Sequence, residues 1–369
     1  MEHNLDFINT NLSWLKDRTI FLSVVGSQSY GLATPESDYD FKGIAIPPKN
    51  YFYGFLENFN QAEFKKPNPD CCIFNIVKWI DLAVDNNPSV IEILWTDPEF
   101  FVITSKYWER LLENRNMFLS KNIKHRFSGY GISQLRKLKK HYNWLNFPMK
   151  EPPKRSDFGL EEYFVLPRDQ MQAAFAMIQK RLDGWNPDFG VNDSARIDIM
   201  NKITDVMTEV CGASLYLEKD KLWKAAAVNL GMSTNFIELI QKEKEYKTRK
   251  AEWDSYVEWK KHRNNKRAEL EAKVGYDAKD ASAVIRIMKM ALEIGSTSKV
   301  IVKRVDDRDQ LLEIKRGEWS YEKVIEYGEK LYADLDSVYE TSKLPDEPDR
   351  KFANKLCIKI VEDFLSRWG

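Results

Sequence analysis

The sequence predicts an α/β (α+β) N-terminal domain on a small mixed sheet, followed by a mostly α-helical C-terminal domain. Three observations carry this expectation. Residues 1–120 alternate short β-leaning apolar runs with helical segments, and from residue 121 onward apolar residues recur at helical spacing. The length, 369 residues, also exceeds what one small core usually organises, so two domains are expected. Hydrophobic content of 43% with 13% aromatic leaves no long segment short of large apolar residues, so disorder beyond a tail is not expected.

Residues 19–25 (TIFLSVV) form an apolar, β-branched run ending at Gly26, the pattern of a central strand. Residues 38–46 (DYDFKGIAI) alternate polar and apolar until Pro47 and Pro48 stop them, and read as a second strand. Residues 72–84 (CIFNIVKWIDLAV) repeat apolar positions every three or four residues, as an amphipathic helix does. Asn86, Asn87 and Pro88 mark a turn before an apolar segment at 90–95. Further on, residues 243–273 interleave both charge signs and read as one long solvated helix. Residues 278–294 and 319–339 are amphipathic helices, with breaks at 148–153 (PMKEPP) and 344–348 (LPDEP). The domains are placed at 1–120 and 121–369, with about 145–275 a helical insertion.

The 56 basic and 56 acidic residues cancel. Residues 1–120 hold 10 Lys and Arg against 16 Asp and Glu, leaving 46 against 40 in the remainder, so an acidic first third precedes a basic rest. The start has neither the basic region nor the apolar core of a signal peptide, and no window approaches 18 apolar residues. A soluble, cytoplasmic protein without membrane partners is expected. Cys71, Cys72, Cys211 and Cys357 lack zinc-type spacing and read as buried thiols in a reducing compartment.

The chemistry concentrates in residues 24–41, VVGSQSYGLATPESDYDF. An apolar strand ends in Gly26-Ser27, and ten residues later (28–37 intervening) come Asp38 and Asp40. Residues i and i+2 of a strand share a face, which sets these carboxylates roughly 6–7 Å apart. Two carboxylates that close repel unless a cation lies between them, and hard oxygen donors suit Mg²⁺ bound together with substrate phosphates. Gly26 lets backbone approach a ligand, amides opening a following helix form an anion site, and Ser27 adds a hydroxyl donor. Two-metal chemistry asks for a third acid. Asp70 is the candidate, ahead of a β-capable run, with Glu63 and Glu92 as competitors.

This constellation resembles the polymerase-β-like nucleotidyltransferase superfamily, whose signature is Gly-Ser, a spacer of about ten and Asp-x-Asp/Glu; Gly26, Ser27, Asp38 and Asp40 match it. The fuller stretch from Gly26 to Asp40 is similar to the RlaP-type subgroup, linked to RNA repair in bacteria and phages. Asn87, Pro88 and residues 91–94 are similar to a later block of that subgroup, as are 127–138, 279–286, 311–318 and 344–349. The resemblance implies transfer of a nucleoside monophosphate from an NTP, with two Mg²⁺ ions (Mn²⁺ the alternative). Gly26 and Ser27 would hold the triphosphate, and Asp38 and Asp40 the metal. Asp70 would be the third carboxylate, orienting or deprotonating the attacking hydroxyl of an RNA end. In the subgroup a later helix carries Lys-His-Ala-x-His; here Lys279 is followed by Asp280, Ala281, Ser282 and Ala283, without either histidine.

Lys279 and Arg286 share a helix face seven residues apart and are candidates to meet nucleotide phosphates, against the plainer reading of solvated charges. Residues 121–144 carry seven Lys and Arg and two His with no acid, interleaved with Tyr130, Tyr142 and Trp144. That suits single-stranded nucleic acid, and equally a packed helix with a basic outer face. Two other functional classes stand beside the transferase: a metal-dependent glycosyltransferase using Asp-x-Asp, and a non-catalytic RNA-binding or interaction protein on the same fold.

Overall fold

In the computed structural model, residues 8, 11–35, 37–65, 69–162, 167–185, 227–263 and 265–368 are described. The first strand, β1 (Thr19–Val25), is buried at every position, as its unbroken apolar run requires of a strand covered on both faces. It stops at Gly26, whose φ of +72° turns the chain out of the sheet. β2 (Asp40–Ala45) returns antiparallel, with Val25 opposite Asp40. A short helix, α1 (Asn50–Tyr53), leads to β3 (Gln61–Phe64) and then to β4 (Cys71–Asn75). The helix expected over 72–84 starts late. The run CCIFN pairs in the sheet first, and Asn75 caps α2 (Ile76–Val84) by accepting from the Val77 amide. α3 (Pro88–Leu94) follows, with Pro88 in its first turn and Asn87 capping it. β5 (Phe101–Ile103) completes a five-stranded mixed sheet of order β3-β4-β2-β1-β5, in which β4 is parallel to β2 and the other pairs are antiparallel.

Beyond the sheet come α4 (Lys106–Glu113) and α5 (Asn122–Asn146). Next are α6 (Arg168–Trp185) and α7 (Thr234–His262). The helix expected over 243–273 is two, since Arg263 takes an extended backbone after α7 and α8 (Asn265–Val274) starts afresh. α9 (Ala278–Thr297), α10 (Arg308–Lys315), α11 (Tyr321–Glu340) and α12 (Arg350–Trp368) finish the chain.

The boundary expected near residue 120 is not where the packing divides the chain. One compact unit comprises residues 1–147 and 264–369, the other 148–263. The reason is a single continuous core: Phe21, Trp79 and Trp108 from the sheet region share one cluster with Phe127, Met290, Ile294, Leu335, Ile360 and Phe364 from the helices. Phe21 stacks on Trp108 at 3.7 Å, and Asp363 of α12 pairs with Lys106 and Arg110 of α4, each at 3.1 Å. α5 and α9 touch closely, because a Cβ at Gly131 would meet Met288 Cε at 2.8 Å. Within the second unit, Arg155 pairs with the buried Glu243, and Met171, Ile178, Ile237 and Ile240 form a separate small core. No helix among the described residues is long and apolar enough to cross a membrane. Cys71 and Cys357 are buried free thiols, as expected, while Cys211 lies outside the described residues.

Candidate active site

The site lies at the end of the sheet where β1 stops and β2 and β4 begin. Because Val25 faces Asp40 and Phe41 faces Cys71, the turn at Gly26, the start of β2 and the approach to β4 are neighbours. The Phe41 amide donates to the Asp70 carbonyl (2.8 Å), which fixes Asp70 beside Asp40 on the adjacent strand. Gly26 meets two demands here: its positive φ, and an approach to Asp40 so close that a Cβ would stand 2.7 Å from Asp40 Oδ2. The segment after it is a series of turns rather than the helix expected to donate amides. Tyr30 N donates to Gly26 O (3.1 Å) and Leu32 N to Ser27 O (2.9 Å), so these groups close the loop on itself.

Asp38 stands outside the ladder. β1 turns away at Gly26 and β2 begins only at Asp40, so the two acids are not successive same-face positions of one strand. They remain close enough to interact. Burial raises the Asp40 pKa, Lys279 opposes this, and Asp70 and Asp38 push it further up. Asp38, Asp40, Asp70, Gly26 and Lys279 are thus brought together. No three His, Cys, Asp or Glu among the described residues form a ready-made metal cage. The donor set nonetheless fits Mg²⁺, which tends to take one or two carboxylates and to complete its shell with substrate phosphates and water.

Two of the residues weighed for this site do other work. Glu92 is buried, 6% exposed, accepting from Tyr30 Oη (2.6 Å) and from Arg286 Nη1. Arg286, expected at the phosphates, is 4% exposed and lies over the Tyr30 ring at 3.6 Å. Burial works against its charge, but Glu92 and Tyr30 outweigh this and hold its pKa above the ordinary value. Burial, and the charge of Glu92, raise that of Tyr30. Arg286, Glu92 and Tyr30 form a buried strut joining α9, α3 and the signature loop. Glu63 sits on edge strand β3, opposite Cys72, away from the Asp40 cluster.

Sequence reasoning missed three basic contributors. Lys42, one pleat beyond Asp40, donates to Ser89 O (3.2 Å), and burial lowers its pKa; its i+2 spacing from Asp40 was the available signal. Arg308 Nε donates to Gly31 O (2.9 Å) and Lys315 Nζ to Leu32 O (2.5 Å), while the Arg304 amide donates to Tyr30 O (2.9 Å). Three successive loop carbonyls are held from the C-terminal helical region, and nothing local in the sequence marks these pairs.

The basic stretch at 121–144 is largely matched within the protein. Lys121, Lys124, Arg126, Lys137 and Lys139 each reach an acid on another element: Asp346, Asp336, Asp85, Asp280 and Glu329. Tyr142 stacks on Tyr321 at 3.7 Å and Trp144 is buried, while Tyr130 is exposed. The packed-helix reading of this segment is the one the contacts favour.

Residues 2–166 match the family described as RNA repair pathway DNA polymerase beta family, RlaP. An uncharacterized 38.9 kDa protein in the nrdC-mobD intergenic region of Enterobacteria phage T4 is 33% identical over 130 residues, covering 32% of this chain and 38% of that protein. The match thus spans well under half of the relative's length. No solved structure matches the chain. The signature at Gly26, Ser27, Asp38 and Asp40 falls inside the matched segment, so residues 2–166 are similar to the RlaP family of polymerase-β-like proteins, a likeness that points to a nucleotidyltransferase.

Proposed function

We propose that this protein transfers a nucleoside monophosphate from an NTP to a hydroxyl acceptor, an RNA end in our reading, and releases pyrophosphate. The observation that carries the reading is the convergence of Asp40, Asp38, Asp70 and Lys279 beside Gly26 at the ends of the inner strands. Asp38 and Asp40 would hold Mg²⁺, with Asp70 as the third ligand or as the base. When bound, Mg²⁺ offsets negative charge on the attacking and leaving oxygens. Asp70, exposed at the rim, accepts the acceptor's hydroxyl proton; the freed oxygen bonds to the α-phosphorus as the bond to the β-phosphate oxygen breaks. Gly26 leaves room for the phosphates, Ser27 donates its hydroxyl to one, and Lys279 adds positive charge. Arg286 acts at a distance as a positioning residue, holding Tyr30 and with it the loop.

The test offers each α-labelled NTP with Mg²⁺ and total RNA to the full chain and to an Asp38→Ala/Asp40→Ala variant. Label should enter RNA with one preferred NTP and vanish in the variant and in EDTA. Labelled protein instead would change the acceptor class. RNA binding that ignores the variant, with no label transferred, would establish the non-catalytic alternative.

A further inference from the structure

The second unit holds a cavity that the proposed chemistry does not use. On α7, Glu243, Tyr246, Arg249 and Trp253 recur in steps of three or four residues and share one face. The turn Arg155–Phe158 docks on the first half of that face. Arg155 pairs with the buried Glu243 and lies over the Tyr246 ring at 5.4 Å, and Phe158 meets the same ring edge-on at 5.8 Å. The segment leading into the turn, residues 149–154, lines a cavity of about 340 Å³ together with Arg249 and the half-buried Trp253. Pro152 and Pro153 stiffen this wall before any ligand arrives. Lys150, Lys154 and Arg249 set three cations around the cavity. Arg249 pairs with Glu252 (3.2 Å), and Asp157 accepts from the Lys154 amide (2.7 Å) within the turn. The ammonium groups of Lys150 and Lys154 reach no acid among the described residues, unlike the cations of the 121–144 stretch that pair with other elements.

An aromatic wall beside unmatched cations suits a ligand that is planar at one end and anionic at the other, as a nucleotide is. An acidic peptide would satisfy the lysines but leave Trp253 without a ring to stack on. The volume is near the lower end for ligand cavities, about 300–1,000 Å³, so one nucleotide fits and a duplex does not. We propose that this cavity holds one unpaired nucleotide of an RNA strand, its base on Trp253 and its phosphates on Lys150 and Lys154. That the strand is the acceptor rests on the nucleotidyltransferase reading; the chemistry of the cavity stands apart from it.

Fluorescence anisotropy of a labelled single-stranded RNA of about ten nucleotides, titrated with the full chain in EDTA, tests this without any turnover. The strand should bind, and Trp253→Ala should weaken it at least about fivefold, the low end for one stacked base. Trp253→Phe, which keeps a ring, should retain most of the affinity. Lys150→Gln combined with Lys154→Gln should reduce the salt slope of log affinity by about 1.4, the counterions of two phosphates on a single strand. Both lysines are exposed, so that variant remains informative if Trp253→Ala unfolds. Parent-like affinity in a folded Trp253→Ala, an unchanged salt slope in the lysine variant, or no binding by the parent overturns the proposal. Competition by AMP as strong as by unlabelled RNA would assign a free nucleotide instead, and competition by a short polyglutamate an acidic peptide; either overturns it too. Trp253-dependent binding without any nucleotide transfer would sink the transferase reading and leave this site standing. Transfer to RNA with parent-like binding by Trp253→Ala would do the reverse.

Discussion

At Gly26 backbone and site make the same demand. A side chain there needs a left-handed conformation costing about 1–2 kcal/mol, and its Cβ would displace the Asp40 carboxylate. Gly26→Ala should therefore lose transfer while its unfolding midpoint falls by only a few degrees, roughly 2–4 °C per kcal/mol for a domain of this size. Asp40 makes the opposite trade. Burial and two acidic neighbours disfavour its charge, so Asp40→Asn should unfold at or above the parent's midpoint at pH 7 yet transfer nothing. A clear drop in its midpoint would show that the carboxylate is structural. The Arg286–Glu92 pair belongs to the stability side. Arg286→Met leaves Glu92 buried without its cation and should cost about 3–5 kcal/mol. Adding Glu92→Gln should recover part of that loss in denaturant unfolding.

Among the elements, what was legible in the sequence was local. β1, β2 and α9 announce themselves through apolar spacing readable within a dozen residues, whereas Asn87 and Pro88, which read as a turn, cap and open α3. The Gly-Ser and Asp-x-Asp spacing was legible for the same reason, one β-connection holding both halves. Non-local pairings were not. Tyr30 meets Glu92 across 62 residues and Glu92 meets Arg286 across 194, so a helix-face argument sent Arg286 to the phosphates when its partner was an acid on another element. The basic run on α5 misled similarly, since its counter-charges lie on α9, α11 and the loops before α3 and α12. Exposed pairs of this kind contribute little singly. Lys124→Ala and Lys139→Ala should each shift the denaturant midpoint by less than about 1 kcal/mol equivalent.

For the whole molecule, the sheet and the C-terminal helices are one unit although some 116 residues, 148–263, intervene. Asn146 at the end of α5 donates to Gly275 O (3.3 Å), so the chain leaving this unit is tied near where it returns. Replacing 148–263 with a flexible linker of about ten residues, able to span roughly 17 Å, should leave a folded unit with parent-like near-UV circular dichroism. If that unit keeps transfer activity, the second unit serves acceptor choice rather than chemistry. The product balance tests the central claim most directly. With one NTP labelled at both the α- and γ-phosphates, nucleotidyl transfer requires one pyrophosphate released for every nucleoside monophosphate incorporated, with both products absent in Asp40→Asn. Free nucleoside diphosphate in place of pyrophosphate, or pyrophosphate formation that persists in Asp40→Asn, would contradict it.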